Sequence, residues 1–516
     1  SGQRRRKESM NWKWNDQTLP ELYAMTVDDL NKQLPSVTEG DNQKISVSLS
    51  SIRKRLKYLK EVGLGYLSLD RPSKTLSGGE TQRVNLTTCL GSALTDSLFA
   101  LDEPTIGLHG RDIGKLIEIL RKLADAGNCV CVVEHDEQVI RSADKVIEIG
   151  PSPGSQGGYV TFSGKVNDLI KSESTATAKW LKKRLTNKKI NSSVKKPSTK
   201  LGSLNIKDAS VHNLNKFEAN IPLGSLVCIA GVSGSGKSTL ASEIIFKGLH
   251  HEQRVSHGTV KTKHKFSDVV SIDQNTISRT PRSNAILYSD GWNPIKEALG
   301  RTEMAKLLGY TASDFSFNTG NGRCEECSGL GYELVEMQFL SDIQVPCSYC
   351  NGFRFKDDIL SVKLDNLSVS DILSLDVDTA VNTFKNFPKT FKKLSLLQEV
   401  GLGYLALGQP LNTLSGGESQ RLKLVKYLGS IGKGTLPAII LIDEPTTGLH
   451  MQDVEQLIST LKRIVAKGHS VILVEHNLQV LRAADWILEM GPGAGKEGGK
   501  LVASGTPENF KKKNTA

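Results

Sequence analysis

The sequence predicts an α/β fold built from two related units in tandem, the first truncated, with a cysteine-bearing lobe inserted into the second. Three observations carry this expectation. Four blocks recur in the same order in both halves of the 516 residues. A Gly-rich loop between an apolar strand and a helix occurs only in the second half, and two CxxC pairs lie there as well.

The repeat is explicit. EVGLGYLSL at 61–69 returns as EVGLGYLAL at 399–407, and TLSGGETQR at 75–83 as TLSGGESQR at 413–421, both 338 residues on. LDEPTIGLH at 101–109 returns as IDEPTTGLH at 442–450, and VVEHD at 132–136 as LVEHN at 473–477, both 341 residues on. SGQRRRKES at 1–9 resembles NGFRFKDDI at 351–359, just after the second CxxC. The chain is therefore expected to begin inside a repeat, with the first unit lacking what precedes that point, its phosphate loop included. The expected division is a first unit over 1–170, a basic linker over 171–200 and a second unit over 201–516. A mainly helical insertion is expected over about 285–400, with a metal lobe at 320–356.

Composition bounds the function. No apolar run reaches the roughly 18 residues of a spanning helix, so no membrane role is expected. SGQRRRKESM is followed by no apolar core and is not a signal peptide. Eight cysteines in so long a chain make no disulfide scaffold, and a reducing, cytoplasmic setting with metal-bound or free thiols follows. Cys89, Cys129, Cys131 and Cys228 sit in apolar segments and are expected in the core. The formal charge is +11, but 171–200 alone holds ten Lys/Arg against one acid. That segment reads as a solvated linker, in which Trp180 and Leu181 are candidate anchors; its charge would also suit phosphates.

Gly231-Val-Ser-Gly-Ser-Gly-Lys-Ser238 fits G-x-x-x-x-G-K-[ST], between the apolar strand SLVCIA and TLASEIIF, which reads as a helix. Gly231, Gly234 and Gly236 let backbone N–H groups turn toward phosphate oxygens. Lys237 would neutralise the β/γ-phosphates, and Ser238, followed by Thr239, would ligate Mg²⁺. GPGAGKEGG at 491–499 lacks this spacing and reads as a turn. AIILIDEP (438–445) ends in two acids: Asp443 would hold Mg²⁺ through water, and Glu444 would polarise the attacking water. His476, closing SVILVEH, could sense the γ-phosphate. Asp102, Glu103 and His135 are the same parts in the first unit.

LSGGE followed by QR marks the chain as resembling the ATP-binding cassette family, so the two units read as two such ATPase cassettes. In that family the signature of one unit caps the nucleotide held by the other. The resemblance implies that ATP on 231–238, with Asp443, Glu444 and His476, is capped by Ser77, Gly78 and Gly79. Ser415, Gly416 and Gly417 would face Asp102, Glu103 and His135, where no phosphate loop is present. Gln274, in VVSIDQ, matches the family's glutamine loop.

Cys324-Glu-Glu-Cys327 and Cys347-Ser-Tyr-Cys350, nineteen residues apart, have Zn²⁺-ligand spacing. Gly329 and Gly352 allow the turn after each pair, and 331–346 alternates as a β-hairpin would. A redox pair is the rival reading. With four protein ligands the zinc would be structural. Arg279 and Arg282, in SRTPRSN, are candidate DNA-phosphate contacts, and surface ion pairs are the alternative.

The zinc lobe between phosphate loop and signature, IDQNTISRTPRSN, FSFNTGNGRCEECSGLG, and the doubled LSGGE-x-QR with DEPTxGLH together resemble the UvrA family of bacterial excinuclease components, over nearly the whole chain. The resemblance implies a dimeric, ATP-dependent sensor of damaged double-stranded DNA in nucleotide excision repair. It would be cytoplasmic and associated with the nucleoid, would load a UvrB-like helicase partner and would not itself be the nuclease. It also implies that the chain matches the C-terminal half to two-thirds of a longer protein, without the family's UvrB-binding insertion. A drug-resistance paralogue, a non-hydrolysing zinc/DNA module and a transporter ATPase are the alternatives.

Overall fold

The computed structural model describes residues 13–14, 16–34, 43–76, 78–91, 95–108, 110–151, 154, 157–172, 175–185, 201–250, 258–273, 277, 280–316, 318–335, 343–430, 436–449 and 451–512. Ser77, Gln274, Arg279 and the basic stretch 186–200 lie outside these residues, as does the side chain of Cys89.

The first unit includes helix α1 (Gly78–Gly91) and strands β1 (Leu98–Asp102), β2 (Cys129–Val133), β3 (Val146–Gly150) and β4 (Tyr159–Gly164), and helix α2 (Ala176–Leu185) follows it. These four strands form two separate pairs. β1 runs parallel to β2, and β3 antiparallel to β4.

The second unit assembles the same parts into one sheet. Its strands are β5 (Ser203–Val211), β6 (Leu214–Pro222), β7 (Leu226–Gly231), β8 (Thr259–Thr262), β9 (Val269–Ile272), a hairpin β10 (Tyr332–Val335) and β11 (Ile343–Pro346), β12 (Ile439–Asp443), β13 (Ser470–Val474), β14 (Trp486–Gly491) and β15 (Lys500–Gly505). The six-stranded order is β9-β12-β13-β7-β14-β15, parallel except at β15. β8, β5 and β6 form an antiparallel layer whose apolar side chains pack over one face of this sheet.

The central strand explains the difference between the units. β7 is buried along its whole length between β13 and β14. Helices cover one face of the sheet and the antiparallel layer the other, so β12 and β13 read as continuous apolar runs. In the first unit the equivalents of β13 and β14 are β2 and β3, and among the described residues no strand joins them. One face of β1–β2 packs on helices through Phe99, Leu101, Val130 and Val132. The other is open, with Leu98 70% and Val133 55% exposed. This corrects the expectation for two cysteines: Cys129 and Cys131 are exposed, because they occupy the uncovered face. Cys228, on β7, is buried as expected.

The repeat extends further than the sequence blocks. Asp28 N donates to Gly65 O and Val27 N to Leu67 O; Asp378 N donates to Gly403 O and Val377 N to Leu405 O. In both units a Cβ at the glycine would strike the aspartate, Asp28 on Gly65 and Asp378 on Gly403.

The insertion contains the helices Ala285–Tyr288, Trp292–Gly300, Glu303–Leu307, Asp357–Ser361, Val369–Ser374, Val377–Thr383 and Pro388–Glu399, packed around Trp292, Phe315, Phe355 and Phe384. The described part of 171–200 departs from a solvated linker, and Trp180 and Leu181 anchor it as expected. Its residues 176–185 form α2, and Ala178 and Leu181 are fully buried against Leu169, with Ile140, Val146 and Phe162 packed around them. Leu181→Ala should cost about 2–4 kcal/mol in the unfolding of the first unit. A urea midpoint for that transition unchanged from the parent would show that α2 does not anchor the segment.

Candidate functional site

The phosphate loop leaves the end of β7 with Gly231 at φ 142, where a Cβ would lie 2.2 Å from Met490 O, so no side chain fits. Gly234 follows at φ 75, its open side filled by the Tyr66 ring at 2.9 Å and the Ala494 methyl at 3.2 Å from the position a Cβ would take. The turn 491–499 supports the loop from beneath: Gly495 N donates to Gly234 O at 3.0 Å and Gly499 N to Ser235 O at 2.9 Å. Asn213 Nδ2 reaches both Gly234 O and Gly495 O. The expected helix after Ser238 runs over Thr239–Phe246 but is wound more widely, as a π-helix.

Lys237 is 9% exposed, and its Nζ donates to Gly231 O at 2.9 Å and Val232 O at 3.0 Å. Burial lowers its pKa, against the opposing pull of Glu444 and Asp443. Ser238 Oγ donates to Asp443 Oδ2 at 3.3 Å, which brings together the two side chains suited to a hydrated divalent cation. Burial, with Glu444 alongside, pushes Asp443 up to about 7.

Beyond each strand-end aspartate the chain turns sharply. Glu103 and Glu444 adopt φ 45 and 48, a left-handed conformation that non-glycine residues take only when surroundings enforce it. Here the backbone enforces it: Glu103 N donates to Val133 O at 2.9 Å and Glu444 N to Val474 O at 2.8 Å. His135 lies 3.6 Å from Glu103 and His476 lies 3.9 Å from Glu444. Burial, helped by Asp102 and Glu134, raises Glu103 to about 7, and burial lowers His135. Glu103, His135 and His476 line one cavity of about 200 Å³ between the units, together with Gly107, Gly448 and Trp180. The glycines cross over. A Cβ on Gly107 would meet Glu444 Oε2 at 3.7 Å, and one on Gly448 would meet Glu103 Oε1 at 3.5 Å.

Each signature segment opens a helix. Ser415 and Glu418 form a reciprocal cap, Glu418 N donating to Ser415 Oγ at 3.2 Å and Ser415 N to Glu418 Oε2 at 2.8 Å. Gly417 has no room for a Cβ beside Thr447 O. These residues start α3 (Gly416–Ser430), as Gly78 and Gly79 start α1. Gln420 Nε2 donates to Asp443 O at 2.5 Å, and Gln82 Nε2 to Asp102 O at 2.9 Å, so each helix holds the acidic strand end of its own unit.

The four sulfurs of Cys324, Cys327, Cys347 and Cys350 lie within 4.8 Å of one another, buried, with Cys324–Cys347 at 4.0 Å and Cys327–Cys350 at 3.6 Å. A tetrahedral zinc thiolate site with bonds of about 2.3 Å places its sulfurs about 3.8 Å apart, so the set fits zinc. Gly329 and Gly352 take positive φ as expected, and β10 and β11 form the expected hairpin. Backbone N–H groups, chiefly that of Cys350, hold the Cys347 thiol below its usual value, while burial pushes Cys350 up to about 12. Arg282 is half-buried at a turn just before the insertion, and Arg354 donates to Gly408 O at 3.2 Å.

Comparison with known proteins decides the relationship. UvrABC system protein A of Aquifex aeolicus is 44% identical over 517 residues, 98% of this chain. That of Clostridium tetani is 41% identical over 517 residues, 99% of the chain. The chain is similar to UvrABC system protein A along nearly its whole length. It spans about half the length of these curated relatives, 55% and 54% respectively. Among solved structures, UvrA2 from Deinococcus radiodurans matches with a TM-score of 0.90 at 38% identity, over 98% of this chain and 63% of that one. An archaeal ABCE1, in a ribosome-bound model with Pelota, shares the fold at 18% identity and a TM-score of 0.51. No family model matches the chain.

Several residues that shape the site in this UvrA relative escaped sequence reasoning. Glu475 is fully buried and accepts from Thr446 N, His476 N and Asn477 N at 2.7–3.1 Å, and from the Thr446 hydroxyl. Glu134 does the same for Thr105 N, His135 N and Asp136 N. Each ties the histidine turn to the acidic turn beside it. The doubled EH in the VEH blocks was the available signal. Mercurial displacement of metal from the chain should release one zinc per chain, and Cys324→Ser or Cys347→Ser should release less than a tenth of that. Full zinc content in both variants would show that the cluster is not the metal site.

Proposed function

We propose that the chain is the ATP-hydrolysing part of a DNA-damage recognition subunit of nucleotide excision repair. The observation that carries this reading is the 41–44% identity to UvrABC system protein A, continuous across phosphate loop, cysteine lobe and both signatures. The proposed division is 1–170 as the C-terminal part of a first cassette and 201–516 as a second, joined by 171–200. Residues 285–400 act as an inserted signature domain around the zinc lobe.

ATP binds on 231–238 of the second cassette. Lys237 exchanges the loop carbonyls for β/γ-phosphate oxygens, and Ser238 and Asp443 hold Mg²⁺, which neutralises developing phosphate charge. Glu444, fixed by its strained turn, orients the attacking water, and His476 meets the γ-phosphate. Ser77, Gly78 and Gly79 close the site from the first cassette. The contact of Tyr66 with Gly234 and its hydrogen bond to Glu80 support this pairing. Gln274 links nucleotide state to the insertion, and Arg279 and Arg282, just before it, meet DNA phosphates. The whole protein works as a dimer and loads a UvrB-like helicase. No described helix is long and apolar enough to cross a membrane.

Lys237→Ala and Glu444→Gln should each lower ATP turnover at least a hundredfold. Ser77→Arg should cost at least ten times more turnover than Ser415→Arg; the reverse order would overturn the pairing. Duplex affinity should fall steeply with salt, and lesion-bearing duplex should outcompete intact duplex at every salt concentration. Equal binding of the two duplexes throughout would remove damage recognition from the reading.

A further inference from the structure

The repeated block EVGLGYL is absorbed by none of the assigned roles, yet its tyrosine sits between the two halves of the proposed ATP site. Tyr66 Oη donates to Glu80 Oε1, the last residue of the first LSGGE, whose side chain is only 7% exposed and has Arg71 at 3.5 Å. The ring of Tyr66 covers Gly234, and its Cβ lies 3.4 Å from where Gly495 would carry one. Burial and Glu80 hold the phenol well above its usual pKa, so it stays a neutral donor.

The other half of the molecule repeats the arrangement without a phosphate loop. Tyr404 Oη donates to Glu418 Oε1 at 2.6 Å, and Tyr404 packs on Gly154, the counterpart of Gly495. One clamp thus spans a nucleotide loop, and its mirror spans a plain turn.

We propose that Tyr66 is a positioning residue that couples the phosphate loop, through its ring on Gly234, to the first unit's signature turn, through Glu80. The inference rests on the composite ATP site of the preceding section. Nucleotide entering 231–238 displaces Gly234, and the tyrosine carries that displacement to the start of α1. The bond from Tyr66 to Glu80 crosses no nucleotide, so its loss should spare binding and slow closure.

The test compares Tyr66→Phe and Tyr404→Phe in the full chain. Both keep the ring and remove one hydroxyl. Nucleotide affinity is read with a fluorescent ATP analogue, turnover with Mg-ATP, and order of the signature by amide exchange over 72–88 without nucleotide. Tyr66→Phe should lower kcat about tenfold while Kd changes less than threefold, the loss of one net hydrogen bond. Tyr404→Phe should leave both within twofold. Exchange over 72–88 should quicken in the first variant only. Equal kcat losses in the two variants, or parent-like turnover in Tyr66→Phe, would overturn the proposal. If the parent itself neither binds nor hydrolyses ATP, the composite-site reading fails. The exchange comparison still decides the clamp, since unchanged exchange over 72–88 in Tyr66→Phe contradicts it.

Discussion

The packing of each unit's glycine turn against the other unit's GLGYL turn sets where every functional residue sits. Gly495 lies on Tyr66 and Gly154 on Tyr404, so the two units face each other across a pseudo-twofold axis. Both glycines take a left-handed φ, 57 at Gly495 and 73 at Gly154, and Tyr404 O is 3.1 Å from where Gly154 would carry a Cβ. From this packing follow the crossover of Gly107 and Gly448 onto the opposite glutamates and the shared cavity lined by Glu103, His135 and His476. Each left-handed glutamate, held in place from its own unit's strands, thus faces the other unit's glycine.

Within the second unit the chemistry depends on a central strand that cannot be seen from outside. β7 must be buried for its loop to emerge at the C-terminal edge of the sheet, between β13 and β14, which deliver His476 and the supporting turn. The first unit shows what the rest of the design does alone. Its signature helix, acidic strand end and histidine keep their mutual geometry, because Glu134 and Gln82 fasten them locally. Local hydrogen bonds to buried carboxylates therefore preserve the hydrolytic turns without the central strand, while burial of the strands does not survive. Leu98, Cys129, Cys131 and Val133 are exposed for that reason.

What was legible in the sequence was whatever is carried by spacing. The phosphate loop, the four-cysteine cluster, the strand-end acids and histidines and the tandem order all follow from short motifs at fixed separations. What was not legible depends on contacts between distant segments. The turn 491–499 read as a bystander because its motif fails as a phosphate loop, yet it supports the real one through Gly495 and Gly499. Tyr66 and Tyr404 stand inside a repeated block with no motif of its own, and their partners Glu80 and Glu418 stand fourteen positions on. The charge of 171–200 hid a helix because its anchors, Ala178 and Leu181, are few beside ten cations. Cys129 and Cys131 were misplaced because an apolar strand is buried only if something covers both faces.

The central claim is that one ATP is shared between the phosphate loop of the second unit and the signature of the first. Photo-crosslinking with an ATP analogue carrying its reactive group on the γ-phosphate, followed by peptide mapping, tests it most directly. The account predicts label in 231–238 and in 77–83, and none in 415–421. Label in 231–238 and 415–421, with 77–83 bare, would contradict it.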